Sequence, residues 1–280
     1  MMTWIARAAE GTADAHDRPA IIALDCLHTY GLLAEAVELF AEELRAAGVG
    51  VGDRVAVYIH FGYEALLAVL AVNYLGAVVI PLDIREPTAD TERALRSAGA
   101  RRVLGHSADD HIVEEIAGPG DRAARSVAGD YTLIELSDAG PRSEQPAGFV
   151  FCAPGGAACR VVETTVLADS GAALAGQWGL DTGDTVAPGP ELGVFEAFAA
   201  ATATLLAGAT LCLDGQWSSA SVLVRADRTA NEPPPDRLGA ARFGRWAADA
   251  AGSADGEVRQ LRFPARTQGL ADSGRIRRCG

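Results

Sequence analysis

GVGVGDRVAVYIHFGYEALLAVLAVNYLGAVVIPLD, residues 48–83, is the stretch on which the fold turns. Its opening, Gly-Val-Gly-Val-Gly-Asp, is a turn signal. Residues 54–60 are then short and rich in Val, Ile and Tyr, the pattern of a buried strand. Residues 64–74 carry Leu66, Leu67, Leu70 and Ala71 at helical spacing, and Gly76 stops that helix. Residues 77–82 form a second apolar strand, closed by Pro81 and Asp83. Strand, helix and strand within about thirty-five residues make a βαβ unit, because parallel strands need a long crossover.

Working outward, residues 19–25 (PAIIALD) read as a short strand. Residues 32–47 place Leu33, Val37, Phe40 and Leu44 on one face, with Glu35, Glu38, Glu42 and Glu43 on the other. That is an amphipathic helix closed by Gly48. Downstream, 87–98 reads as a helix ended by Gly99, 102–104 and 131–136 as strands, and 137–146 as a linker. Residues 149–160, FVFCAPGGAACR, are a strand feeding a glycine loop. Residues 165–178 read as a helix with Leu167, Ala168, Gly171, Leu174 and Ala175 inward. GLDTGDTV, 179–186, repeats the glycine turn that leads into the strand after Asp53. Residues 189–213 read as loop, helix and strand, and the Pro-rich 225–239 as irregular. The expected fold is α/β, with two layered sheet subdomains over 1–145 and 146–215 and a reduced C-terminal extension over 216–280.

The phrases GV-x-x-GDRVAV, ALLAVLA and LGAVV-x-PLD together resemble the front half of the adenylate-forming superfamily. That superfamily holds acyl- and aryl-CoA ligases, adenylation domains of non-ribosomal peptide synthetases, and luciferases. The resemblance runs upstream through Thr29, Tyr30 and the helix before Gly48, and downstream to Leu104. It resumes over 167–213, where GLDTGDTV and LLAGATLCL are familiar phrases. It implies a strand at 149–152 followed by a Ser/Thr/Gly-rich loop, close to TSGTTG-x-PKG, that wraps the phosphates of ATP. Such a loop works through close backbone approach at glycine, hydroxyl and N–H donors, and a lysine charge. Here the corresponding residues are Cys152, Ala153, Pro154, Gly155, Gly156, Ala157, Ala158, Cys159 and Arg160. The glycines remain and Arg160 falls in the lysine's place, but every hydroxyl is gone and Pro154 removes a donor.

From Val194 and Phe195 to Gly208 and Ala209, the resemblance is to acyl- and aryl-CoA ligases, without a gap. Gly193 stands where a ring-bearing residue or histidine usually precedes the helix. Phe195 and Phe198 have two readings, walls of a substrate pocket or core packing. Beyond Asp214 the resemblance nearly stops. The end, ARTQGLADSGRIRRCG, resembles a "YRTGDLA…DGRI…G" segment, with Gly269 at the family's ribose-binding aspartate. The chain is therefore expected to be a shortened member without the mobile C-terminal domain, with Arg275, Arg277 and Arg278 in a solvated tail.

Composition sets further bounds. The 280 residues have a net charge of −13, which excludes nucleic-acid binding through a phosphate-neutralising surface. All 24 basic residues are arginine, so chemistry that needs a lysine ammonium has no donor in these residues. No apolar run is long enough to span a bilayer. The N-terminus lacks the layout of a signal peptide, and the five cysteines are odd in number; the expectation is a cytoplasmic protein with reduced thiols. His106, Asp109, Asp110 and His111 in HSADDH carry no third-ligand pattern, so they read as a polar loop and no metal site is expected.

Three functions remain open. The first is a degenerate AMP-binding, adenylation-like protein without ordinary activity. It would be a binding or assembly partner in a secondary-metabolite pathway, self-associating or covered by another protein. The second is an acyl- or aryl-adenylate-forming ligase that takes a small carboxylate with ATP and Mg, its missing parts supplied by a partner. The third is a different enzyme in the old substrate cleft, with Cys152, Cys159 and Arg160 as its reactive group, since a thiol beside an arginine is activated.

Overall fold

The computed structural model describes residues 15–23, 26–107, 113, 115–116, 124–137, 142, 147–153, 155–190, 192–213, 220–225, 259–262 and 277–278. The chain runs β1 (Pro19–Ala23), β2 (Cys26–Thr29), α1 (Tyr30–Ala46), β3 (Arg54–Tyr58), α2 (Tyr63–Tyr74), β4 (Val78–Pro81), α3 (Thr88–Ala98) and β5 (Arg102–His106). There follow β6 (Ala124–Val127), β7 (Tyr131–Glu135), β8 (Gly148–Cys152), β9 (Cys159–Glu163), α4 (Thr164–Trp178), β10 (Thr185–Pro188), α5 (Val194–Leu206) and β11 (Thr210–Cys212). The last strands are β12 (Val222–Arg225), β13 (Arg259–Arg262) and β14 (Arg277–Arg278). The α/β class and the two sheets agree with expectation.

The strands form two sheets, and the chain falls into two compact units. One is drawn from Ala34–Leu167 with Ser273–Gly280, the other from Trp4–Leu33 with Ala168–Asp272. This differs from a division at 145/146. β8 lies parallel to β4, Val79 opposite Phe149, so the strand before the glycine loop belongs to the first sheet. β1 lies parallel to β11 and belongs to the second.

The first sheet has the order β14-β9-β8-β4-β3-β5-β7-β6. Its centre is the βαβ unit read from the sequence, with Val55 opposite Val79 across the parallel β3–β4 pair. Eight residues of α2, among them Leu66, Val69 and Leu70, are buried, which explains why the helix is apolar on nearly every face. A cluster including Ala56, Ile80, Leu95, Val103, Ile134, Val150 and Val161 fills one core. Leu33, Val37, Phe40 and Leu44 of α1 are buried, while Glu35, Glu38, Glu42 and Glu43 are exposed. Within the first unit Phe40 packs on Tyr131, ring centroids 4.7 Å apart.

The second sheet has the order β13-β12-β10-β11-β1-β2. Tyr30 fixes part of this unit. Its buried hydroxyl donates to the carbonyls of Leu205 at 3.0 Å and Ala209 at 2.8 Å, and burial pushes that phenol's pKa up. Gly171 of α4 lies against α5, where an added Cβ would be 2.6 Å from Thr202 Cγ2.

Three local readings are corrected. Residues 26–29 are a strand, β2, antiparallel to β1, and α1 starts at Tyr30 rather than 32. Residues 159–163 are a strand, β9, antiparallel to β8, so the expected loop, which ran to Arg160, ends two residues earlier. Arg277 and Arg278, expected in a tail, form β14 and pair with Val161 and Arg160 along the edge of β9, while Arg275 lies outside the described residues. Residues 226–239 and Gly269 lie outside the described residues.

Candidate functional site

The glycine loop between β8 and β9 is the place where the sequence promised chemistry. β8 and β9 pair antiparallel from Gly148 opposite Glu163 to Cys152 opposite Cys159. Gly148 sits where a Cβ would be 2.6 Å from the Val162 carbonyl, so only glycine lets the strands close at that end. Beyond Cys152 the Ala153 N–H donates to the Ala158 carbonyl at 2.8 Å, and the Gly156 N–H to the Ala153 carbonyl at 2.9 Å. Gly155 and Gly156 have φ of 80° and 65°, in the left-handed region that favours glycine.

The loop lies on α3. A Cβ at Gly156 would strike the Asp90 carbonyl and lie 2.6 Å from the Ala94 nitrogen, so the backbones touch there. The Arg93 guanidinium donates to the Gly155 carbonyl and pairs with Asp90 Oδ1 at 2.6 Å. Cys152 Sγ is 3.9 Å from the Ala94 carbonyl oxygen. Asp90, Arg93 and Ala94 were not singled out from sequence. Asp90 and Arg93 are three apart on a helix, which reads as a solvated ion pair, and no local signal links them to a loop some sixty residues on.

Two further expectations change. Cys152 and Cys159 form a disulfide, so reduced thiols were the wrong expectation here and neither is an activated nucleophile in this state. They meet because the hairpin register puts them opposite each other, which no cysteine count reveals. Arg160 is exposed on β9, opposite Phe151, and does not stand within the loop as the replaced lysine would. Pro154 lies outside the described residues. The first unit thus brings together Cys152, Gly155, Gly156 and Cys159 with Asp90, Arg93 and Ala94.

Chemically, the loop offers a phosphate no hydroxyl. Two of its amides, Ala153 and Gly156, are engaged in its own turn, and the Gly155 carbonyl is taken by Arg93. That arrangement does not fit the triphosphate of Mg-ATP.

Gly193, Phe195 and Phe198 belong to the second unit. Gly193 precedes α5, its N–H donating to Glu196 Oε2 at 2.9 Å and its carbonyl accepting from Ala197 N–H at 2.9 Å. Phe198 is buried with the inward face of α5, and Phe195 is half-buried.

A cluster missed in sequence surrounds Asp53. This side chain is fully buried, with Arg102 NH1 at 2.8 Å from Oδ2, and Arg101 Nε at 3.2 Å and Arg142 Nε at 3.1 Å from Oδ1. The Gly50 N–H donates to Oδ2 at 2.9 Å. Burial pushes this carboxyl's pKa up. The hydrogen bonds from Arg142 and Gly50 and the charges of Arg102 and Arg142 outweigh that and hold it below the usual range. It sits behind the first glycine turn and reads as structural. In HSADDH, His106 stands edge-on to Tyr131 with centroids 5.8 Å apart, while Asp109, Asp110 and His111 lie outside the described residues. Among the described residues no group of His, Cys, Asp and Glu is placed to hold a metal, and no helix is long and apolar enough to cross a membrane.

Comparison with known proteins places the chain in a family. A family model described as AMP-binding enzyme matches residues 7–149, ending in β8 just before the glycine loop. Naringenin synthase of Pestalotiopsis fici is 33% identical over 126 residues, which are 45% of this chain and 4% of that protein. The Mycobacterium tuberculosis fatty acyl CoA synthetase has the same fold at TM-score 0.61 and 18% identity, over 80% of this chain and 48% of that one. The Klebsiella oxytoca NpsA N-terminal subdomain superposes at TM-score 0.57 and 19% identity, over 80% of this chain and 59% of that one. The chain spans a few per cent of the curated relative and about half of these solved chains. With the model matching half of its length, this chain belongs to the AMP-binding enzyme family, within the adenylate-forming superfamily.

Proposed function

We propose that this chain is an adenylation-like domain without ordinary adenylating activity, acting in a biosynthetic pathway as a binding or assembly partner. The observation that carries the reading is the state of the glycine loop. It has no hydroxyl, lies on α3 through Gly156, and gives its Gly155 carbonyl to Arg93. Adenylyl transfer depends on stabilising phosphate charge, and lost donors and lost positive charge each cost several kcal/mol of the order found when an oxyanion donor is removed. None of the 280 residues is lysine, so that charge falls to arginine. Similarity to a naringenin synthase supports the biosynthetic setting.

A second reading has one observation in its favour. Arg93 is half-exposed at the loop, and a guanidinium there suits phosphate oxygens once it leaves the Gly155 carbonyl. On that reading the chain takes a small carboxylate with ATP and a partner completes the site.

Thermal unfolding with millimolar Mg-ATP or AMP, together with carboxylate-dependent pyrophosphate exchange, separates the two. The first reading expects no saturable shift and no exchange. A saturable shift together with exchange overturns it in favour of the ligase. A shift without exchange leaves a nucleotide-binding domain that does not adenylate, and overturns the part of the first reading that rests on the glycine loop.

A further inference from the structure

Cys152 and Cys159 close the neck of the glycine loop. We propose that they form a reversible redox clasp: oxidised, the pair holds the glycine turn at Gly155 and Gly156 on α3, and reduced, it lets that turn leave. The inference does not depend on what the loop binds, and it goes beyond the functional reading above.

Three observations converge on it. First, the two residues are the last opposed pair of the β8–β9 ladder, with Cα atoms 4.1 Å apart. The next pair outward is bonded through the Ala153 N–H and the Ala158 carbonyl, so the cysteines occupy the non-bonded kind of position, where opposed side chains approach most closely. The sulfurs meet again whenever the hairpin zips, so the bridge re-forms without a search.

Second, the bridge is reachable. Cys159 is 8% exposed but Cys152 is half-buried, and the neighbouring Ala153, Ala157 and Ala158 are exposed. A small thiol therefore has a route to the Cys152 sulfur. Third, among the described residues the loop has few other ties. Its anchor on α3 is the half-exposed Arg93 against the Gly155 carbonyl and the packing of Gly156 on Asp90 and Ala94. Among the described residues its internal backbone bonds are the two from the Ala153 and Gly156 amides. The half-exposed Arg93 contact is weak on its own and the buried Gly156 brings no side chain to the packing, whereas a covalent tie at the neck removes most of the open conformations.

The chemistry balances as thiol–disulfide exchange with a small-molecule disulfide such as glutathione disulfide. The Cys152 thiolate attacks one glutathione sulfur and releases a glutathione thiolate. The Cys159 sulfur, having lost its proton to water, then attacks Cys152 of the mixed disulfide and releases the second. The protein pair gives up two electrons and two protons, and two glutathione thiols carry them away. Reduction runs the same steps backward.

The test uses the whole chain equilibrated in glutathione buffers from fully reduced to fully oxidised, then quenched with an alkylating agent. Cleavage after Arg142 and Arg160 leaves one peptide, 143–160, that carries both cysteines and no other, so Cys26, Cys212 and Cys279 do not confuse the count. The peptide is expected to pass from doubly alkylated to internally bridged as the disulfide fraction rises, and back again. Amide hydrogen exchange over 155–158 is expected to be about tenfold faster, or more, in the reduced protein. Cys159→Ser should exchange fast in both buffers. If that variant does not fold, the wild-type protein in the two buffers decides by the same readout. A peptide that stays doubly alkylated in excess glutathione disulfide overturns the proposal. So does one that stays bridged in excess dithiothreitol, or equal exchange in the two states.

Discussion

The molecule builds the same turn twice, once in each unit, and supports it in different ways. In the first unit the Gly48 N–H donates to Arg45 and the Val49 N–H to Leu44, each at 2.9 Å, ending α1. The Asp53 N–H then donates to Gly50 at 3.1 Å while the Asp53 carboxylate takes the Gly50 N–H at 2.9 Å. In the second unit Gly179 donates to Gly176 and Leu180 to Ala175, ending α4, and the Asp184 N–H donates to Asp181 at 3.1 Å. The Asp184 carboxylate takes the Asp181 N–H at 3.0 Å. The likeness continues into the sheets: the carbonyl of Asp53 accepts from Val78, and that of Asp184 from Thr210. What differs is the setting. Asp53 is fully buried among Arg101, Arg102 and Arg142, whereas Asp184 is half-buried and receives the Ser221 hydroxyl at 3.3 Å. The helices ahead of the turns differ too, α1 using the bulk of Phe40 and α4 the absence of a side chain at Gly171. The backbone device is therefore shared, and each unit stabilises it with its own chemistry.

The comparison breaks most sharply at Asp53. Asp53→Ala removes the carboxylate that Arg101 and Arg102 share, leaving Arg102 only the more distant Glu135 at 3.6 Å. Removing one partner of a buried ion pair costs about 3–5 kcal/mol. Native-state hydrogen exchange should show it as lost protection in β3 and β5, with β10 changing far less. Equal losses in both units would mean that the arginine cluster does not belong to the first turn alone. pH sharpens the same point. Because the folded-state pKa of Asp53 is held below its unfolded value, its stabilisation is complete above the unfolded pKa and is lost as pH falls through the folded one. Asp53→Asn lacks that component, so its acid-side loss of stability should be shallower than the wild type's. An unchanged acid slope would assign the titration to other carboxylates.

This asymmetry shows what sequence makes legible. The strands and helices over 48–83 are found to within a residue or two, because apolar runs at period 2 or 3.6 are local signals and glycines mark their ends. The shared turn is also visible, in the recurrence of Gly and Asp at matching places. The burial of Asp53 is not, since turn carboxylates are normally solvated and its partners Arg101 and Arg102 come two strands and two helices later. β2 and β9 escaped for the same reason. Cys26–Thr29 is short and exposed or half-buried throughout, and is a strand only through its pairing with β1. Cys159–Glu163 follows a glycine loop that holds attention on the turn instead of on the strand it opens. The loop's loss of hydroxyls is written in the sequence. Its seat on α3 and the Cys152–Cys159 bridge depend on register and packing, which one chain read linearly does not reveal.

Gly171 is the next place to press. Gly171→Leu forces side-chain atoms into the space held by Thr202 Cγ2 and Leu206 Cδ1, and overpacking of this kind costs about 1–3 kcal/mol. The loss should appear in the exchange of α4, α5 and β10, leaving β3 protected. A loss spread equally over β3 would show that the second unit's helix packing also supports the first.

The smallest effect carries the finest distinction, because it asks whether the second turn needs its carboxylate at all. Asp184→Ala removes an acceptor from a solvent-exposed Asp181 N–H, which water can replace, so the expected cost is about 1 kcal/mol. Ser221→Ala removes the Thr185 N–H acceptor at 2.9 Å together with the bond to Asp184, at about 0.5 kcal/mol. A double-mutant cycle on the two should then give a coupling below about 0.5 kcal/mol, the signature of an exposed hydrogen bond in competition with water. The matching cycle on Asp53 and Arg102 should give several times that value, since neither group has water to fall back on. Similar coupling in the two cycles would mean that burial is not what separates the turns, and that the repeated backbone bonds alone set their stability.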